Sequence, residues 1–285
     1  MRRSTRLLAV AASAAAVLVA AGCSSTPADS ASESGSGSTE KTTISIGFNP
    51  GPYLEMFQGG ILPILEDEGY TVDTSDFTDG VIVNVALSDG EIDANIMQHT
   101  VYMDAINAQE GLSNAALVES PTPPMGLFGG KKSSLDDLGT GSTIAVPNQP
   151  SNQYRALKVL EGLDLITLSD DIDPATASLQ DVVDNPNGIQ FVEMENAQQI
   201  PALQDVDYSV IQGNFIVSGG LELTDALALE DISSEFAVIV AVDEASLDTD
   251  WAQALKAAYE SDEFAEYIRS NDDYAGYYLP AALEG

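Results

Sequence analysis

Pro147-Asn148-Gln149-Pro150-Ser151-Asn152-Gln153-Tyr154-Arg155-Ala156-Leu157 joins a strand to a helix. Ahead of it, Thr143-Ile144-Ala145-Val146 is a short apolar run between Gly141 and Pro147, the pattern of a buried strand. Behind it, Ala156, Leu157, Val159, Leu160 and Leu163 recur at helical spacing. Pro150 marks a helix start, since the N–H that proline lacks has no partner in a first turn. Arg155 therefore sits near a helix N-terminus, where free N–H groups and the helix dipole favour a small anion. Its planar fork fits a carboxylate at two points. On spacing alone, a capped helix carrying a surface arginine explains the stretch as well, so the choice rests on the rest of the chain.

Working outward, strands and helices alternate on both sides. Strands are expected at Ile44–Phe48, Tyr70–Phe77, Ile92–Met97 and Ala115–Val118, with helices at Leu54–Leu65, Val81–Leu87 and Val101–Ala108 between them. After Met125–Gly129 a second set follows: Thr143–Val146, the Arg155 helix, a helical Leu179–Val183, strands Ile189–Glu193 and Tyr208–Ile211, and a helix from Asn214. Phe236–Val242 is a buried strand, and helices Trp251–Tyr259 and Glu263–Ile268 close the chain. Such alternation implies βαβ units and mainly parallel sheets. Two sets joined by two crossings, near Gly129 and Ser234, imply an α/β protein of two lobes, residues 43–129 plus 234–285 and residues 130–233. Ligands of open α/β sheets sit beyond the strands' carboxyl ends, here the turns after Phe48, Phe77, Met97, Val146 and Ile211.

The 285 residues carry 45 acidic against 10 basic side chains, a net charge of −35. That excludes a nucleic-acid binder, which needs a basic footprint. Arg2, Arg3 and Arg6 precede an apolar Leu7–Ala21, too short to span a bilayer and laid out as a secretory signal over residues 1–22. Its end, Leu18-Val19-Ala20-Ala21-Gly22-Cys23, looks like a bacterial lipobox with the leucine one place early. Cys23 is the only cysteine, so no internal disulfide forms, and lipidation is its economical use. Residues 23–42 are Ser, Thr, Gly, Ala and Glu almost throughout, a flexible tether behind an acyl anchor.

The cleft turns together resemble the NlpA/MetQ-type lipoproteins, methionine-binding components of ABC importers. The matching pieces are Gly51-Pro52, Phe77-Thr78-Asp79, Asn84, Ala86 to Asn95, Gln98-His99, Pro147 to Asn152 with Arg155-Ala156-Leu157, and Val210-Ile211-Gln212-Gly213-Asn214-Phe215. They run in family order from about Ile44 to the C-terminus. The resemblance implies a type II periplasmic-binding-protein fold, two mixed-sheet lobes with a ligand cleft between them. It assigns the ligand carboxylate to Arg155, polar ligand groups to Asn152, Asn214 and Gln212, and a contact to His99, the only histidine. Asp79 is expected to approach with His99 from the first lobe, and Asp79, Glu193 or backbone carbonyls to hold the ammonium. Three positions depart from the family: Gly80 for tyrosine, Met97 for an aromatic and Tyr53 for histidine. Losing two aromatics removes about 0.5–1.5 kcal/mol per aromatic pair beyond burial. Met97, Tyr53, Tyr154 and Phe215 are the residues expected to refill that space.

The expected function is a lipid-anchored, extracytoplasmic solute-binding protein, acting as a monomer, that takes an amino acid, L-methionine first, and delivers it to an ABC permease and its ATPase. A different amino acid, a small peptide, or a surface adhesin or sensor are the alternatives. No cofactor is expected. An enzyme lacks support, with no Gly-x-Ser-x-Gly elbow or Walker loop. A transition-metal receptor would need more than one histidine.

Overall fold

The computed structural model describes residues 41–284. The leader, Cys23 and most of the tether lie outside the described residues. The chain begins with β1 (Thr43–Phe48), followed by α1 (Tyr53–Met56), a π-turn over Phe57–Ile61 and α2 (Leu62–Asp67). Sequence periodicity reads these as one helix, and the π-turn that interrupts it has a steric partner. A Cβ on Gly59 would stand 2.2 Å from the Tyr267 Oη, and one on Gly60 2.6 Å from the Tyr267 ring. The two glycines let this turn press directly against the C-terminal helix that carries Tyr267.

Next come β2 (Thr71–Asp76), α3 (Gly80–Ser88), β3 (Ala94–His99), α4 (Thr100–Glu110) and β4 (Asn114–Glu119). The chain then enters a second sheet through β5 (Gly126–Gly129), β6 (Thr143–Pro147) and α5 (Pro150–Gly162). A small antiparallel pair, β7 (Thr167–Leu168) with β8 (Val182–Asp184), precedes β9 (Gln190–Met194), β10 (Tyr208–Ile211), α6 (Gly213–Ser218) and β11 (Ala228–Leu229). The chain returns with β12 (Val238–Asp243), α7 (Asp250–Tyr259) and α8 (Asp262–Ser270).

The first sheet has the order β2-β1-β3-β12-β4 and the second β11-β5-β10-β6-β9. Both are mixed, and each has its own hydrophobic core. β12 lies between β3 and β4 and runs antiparallel to both, which departs from the mainly parallel expectation. It arrives from the other lobe and so enters the sheet from the opposite end. Its continuous apolar run follows from having both faces covered. Val238, Val240 and Val242 pack with Ile44, Ile46 and Phe48, while Ile239 and Ala241 pack with Val83 and Leu87. Each fully buried branched side chain there contributes about 1.5–3 kcal/mol.

Two further sequence expectations need correcting. Gly126–Gly129, placed in the first lobe by a crossing at Gly129, pairs with β10 in the second sheet. Residues 179–183, expected to be helical, are a 3-10 turn running into β8. Five apolar-rich residues fit a strand as well as a helix turn, and here the partner strand β7 decides. Among the described residues no helix is long and apolar enough to cross a membrane.

Candidate functional site

A cavity of about 150 Å³ opens where β1, β3, β6 and β10 end. Of the residues expected to hold ligand, Arg155, Asn152, Asn214, His99, Gln212, Met97 and Tyr53 all line it. Asp79 does not. Its carboxylate caps α3, accepting from the Val81 N–H at 2.8 Å and the Ile82 N–H at 3.0 Å. An aspartate just before a helix is a favoured cap, and that local bond satisfies it before any ligand arrives.

His99 is both the last residue of β3 and the cap of α4. The Tyr102 backbone N–H donates to its Nδ1 at 3.1 Å, so the neutral ring carries its proton on Nε2. Nε2 then donates across the cleft to the Asn152 Oδ1 at 3.3 Å. Burial, helped by the nearby Arg155 charge and opposed by the Asn152 bond, lowers the His99 pKa to about 3. The ring is neutral in any ordinary buffer. Gln98 beside it is held from below by a buried amide cluster. It exchanges two hydrogen bonds with Asn84, at 2.7 and 2.6 Å, and donates to Asn95 at 3.1 Å. These amides fix the strand end that presents His99.

On the opposite wall the Asn152 Oδ1 also accepts from the Gln212 Nε2 at 3.0 Å, and the Asn152 Nδ2 donates to the Gln149 Oε1 at 3.0 Å. Asn214 donates to the Pro50 carbonyl at 3.0 Å, a second tie between the lobes.

Arg155 is buried, with 4% of its side chain exposed, and its fork is already engaged. Nε donates to the Glu230 Oε1 at 2.7 Å and Nη2 to the Glu230 Oε2 at 2.6 Å. The two-point carboxylate that the sequence reading assigned to a ligand is thus supplied by the protein. Burial alone would raise the Glu230 carboxyl. The Arg155 charge, its hydrogen bonds and the Met125 N–H outweigh burial and hold it below the ordinary carboxylate value. Three of the five guanidinium N–H groups stay outside that pair, and Arg155 lines the cavity. Phe236 stacks beneath the guanidinium, 5.7 Å from Cζ to the ring centre.

The first-lobe wall is Tyr53, Gly80, Met97, Tyr102 and Pro123, with Phe215 from beyond the crossing. A Cβ on Gly80 would lie 2.5 Å from the Tyr102 Oη and 3.0 Å from the Met97 Cε. The space left by an absent side chain at residue 80 is therefore filled by Tyr102 and Met97. Burial, then the charges of Asp79 and Glu195, raise the Tyr102 pKa to about 12, so its hydroxyl stays protonated. Tyr154, expected to refill the apolar half, instead packs on Phe236 away from the cavity, with ring centres 5.7 Å apart. Glu193 is likewise absent from the lining and accepts from Gln153 at 2.8 Å.

Five residues escaped the sequence reading: Glu230, Tyr102, Asn49, Glu195 and Asn196. Tyr102 had a usable signal, since three residues past a helix cap a side chain leans back over the N-terminus. Among the described residues no group of three or more His, Cys, Asp or Glu is placed to hold a metal.

A family model described as NlpA lipoprotein matches residues 44–282. Over 269 residues the chain is 31% identical to the "Probable D-methionine-binding lipoprotein MetQ" of Vibrio cholerae serotype O1, covering 93% of this chain and 95% of that one. It is 34% identical over 201 residues to the D-methionine-binding lipoprotein MetQ of Escherichia coli strain K12, covering 70% and 74%. The structure of a nutrient binding protein from Burkholderia cenocepacia bound to methionine matches with a TM-score of 0.76 at 34% identity, covering 82% of this chain and 98% of that one.

Proposed function

Because the chain belongs to the NlpA lipoprotein family, we propose that it binds methionine and delivers it to the permease of an ABC importer. The observation that carries this reading is a cavity in which Arg155 and a chain of amides face Tyr53, Met97 and Phe215. The free Nη edge of Arg155 takes the ligand carboxylate, while Glu230 holds the guanidinium in place. The aromatic and thioether wall takes the ligand side chain, with sulfur–aromatic contacts worth about 0.3–1.5 kcal/mol each. At about 150 Å³ the cavity is well below the ~300–1,000 Å³ of drug-sized sites, which favours one amino acid over a peptide. Closing the lobes desolvates the charged contacts and strengthens them. Binding and hand-over are the whole of the chemistry, and no bond is made or broken.

Residues 1–22 are removed, Cys23 carries the lipid on the extracytoplasmic face, and the tether lets the lobes reach the permease, which an ATPase drives. The protein works as a monomer. One lobe ends and resumes near residues 125 and 237, as the sheet memberships support.

Calorimetry of the ligand-stripped full chain in detergent, against L-methionine, D-methionine and then the other amino acids, tests this. Binding of methionine at about micromolar Kd or tighter, near −8 kcal/mol, is the expected result. Silence with both enantiomers but heat with another amino acid would place Gly80 and Met97 as a changed specificity. Silence with every amino acid would return the protein to the adhesin or sensor reading.

A further inference from the structure

The amides around Asn152 form a chain whose polarity is set from one end. A backbone N–H is only a donor, so the Tyr102 N–H fixes the His99 Nδ1 as an acceptor and Nε2 as a donor. The His99 proton in turn fixes Oδ1 of Asn152 on its own side, and Gln212 must offer Nε2 to that same oxygen. Asn152 then presents Nδ2 to the Gln149 Oε1, which accepts a second N–H from the Asn196 Nδ2 at 3.4 Å. Every amide is now oriented, and both free ends are oxygens: Oδ1 of Asn196 and Oε1 of Gln212 are buried with no hydrogen-bond partner among the described residues. Oδ1 of Asn49, on the first lobe, is unpartnered as well. All three residues line the cavity. Burying a carbonyl oxygen without a donor is unfavourable, so three at one cavity need an explanation.

We propose that Asn196 and Asn49, with Gln212, receive the ammonium group of the bound amino acid, and that His99, Asn152 and Gln149 are positioning residues that turn the Asn196 and Gln212 oxygens toward it. An ammonium offers three N–H donors and no acceptor, which matches three carbonyl oxygens. The exposed Glu195 also lines the cavity and adds negative charge for the ammonium, while Arg155 supplies positive charge for the carboxylate. Because Asn49 and Asn196 belong to different lobes, the ammonium would draw on both at once. This assignment rests on the amino-acid reading of the site and names which atoms read the amine.

The test compares two ligands on the full chain by calorimetry: L-methionine and 4-(methylthio)butanoate, which is methionine without its amine. Asn196→Leu should lose about tenfold or more on methionine, as expected for a hydrogen bond to a charged group, and under about threefold on the deaminated acid. Gln149→Leu, which leaves Asn196 in place but frees its amide to turn, should show a smaller loss confined to methionine. It carries the test if Asn196→Leu fails to fold. Equal losses on both ligands, or none on either, would overturn the assignment. Equal affinity of the unaltered protein for both ligands would do so too. If the unaltered protein bound neither, the amino-acid reading itself would fall, a result distinct from the others.

Discussion

The two walls of the cavity are held by different forces. On the second-lobe side, Arg155 is fastened to Glu230, and Asn152 to Gln149 and Gln212, by directional bonds between 2.6 and 3.0 Å. On the first-lobe side, outside the hydrogen-bonded strand end of Gln98 and His99, Tyr53 is held by burial, and Met97 and Tyr102 by fitting around a missing side chain at Gly80. The first kind of wall is preorganised and intolerant of change. The second can be repacked, because apolar contacts have no direction and volume-conserving exchanges cost little. A binding protein that keeps its grip on the common amino-acid backbone while varying the side chain it accepts would be divided along this line.

The sharpest way to break the comparison is at the strongest bond. Arg155→Ala should remove about 3–5 kcal/mol of folding stability, since it leaves Glu230 buried without its partner. It should also weaken methionine binding on the order of a thousandfold. Urea unfolding and calorimetry on the same variant measure the two losses. Intact stability would mean that Glu230 is rehydrated and the wall is looser than its geometry implies.

A smaller effect comes from pH. His99 is held near pKa 3 in the folded protein against about 6.5 when unfolded. Between those values the unfolded chain carries a proton that the native one does not. Stability should therefore fall as pH drops below about 6.5, with a slope approaching 1.4 kcal/mol per unit, and should not depend on this group above that. Glu230, held below the ordinary carboxylate value, adds its own loss only at lower pH. Unfolding at pH 7 and pH 5 of the protein and of His99→Gln isolates the histidine. The variant should show the shallower dependence, and equal slopes would mean that His99 is hydrated and titrates normally.

The repackable wall is tested at Gly80. Gly80→Ala puts a methyl where the Tyr102 hydroxyl lies, so the ring must swing. The far end of one side chain can yield, and stability should fall by about 1 kcal/mol, at the low end for overpacking. Methionine affinity should fall roughly tenfold, a loss of about 1.4 kcal/mol. Tyr102→Phe in the same background should recover most of both losses, and a coupling above about 0.5 kcal/mol would show the two positions sharing one space. Additive effects would separate them.

The same division explains what was legible in the sequence. The strand, Pro150 and Arg155 announce themselves within a dozen residues, because capping and dipole rules are local. His99 stood out as the only histidine, at a strand end. Glu230 is one of 45 acidic residues and lies 75 positions from the arginine it binds, with no local pattern to mark it. Asn196 reaches Gln149 across 47 positions. The direction of β12 was hidden for a related reason: a run such as Val238–Val242 reads the same in a parallel or antiparallel sheet, and only the return from the other lobe sets it. Tyr154 and Tyr102 are both aromatic and both near the site, and sequence spacing did not say which would face the cavity.

The smallest expected effect falls on the residue where helix capping overrides the cleft-turn expectation. Asp79→Ala removes the cap of α3 and should cost about 1 kcal/mol, within the ~0.5–2 range for such caps, while methionine affinity stays within about twofold. The separation matters because Asp79 is next to Gly80 and its charge is felt by Tyr102. A tenfold loss of affinity with the helix intact, read by circular dichroism, would mean that Asp79 leaves its cap to meet the ligand. The first-lobe wall would then carry a charged contact of its own, and the split between a bonded wall and a packed one would fail.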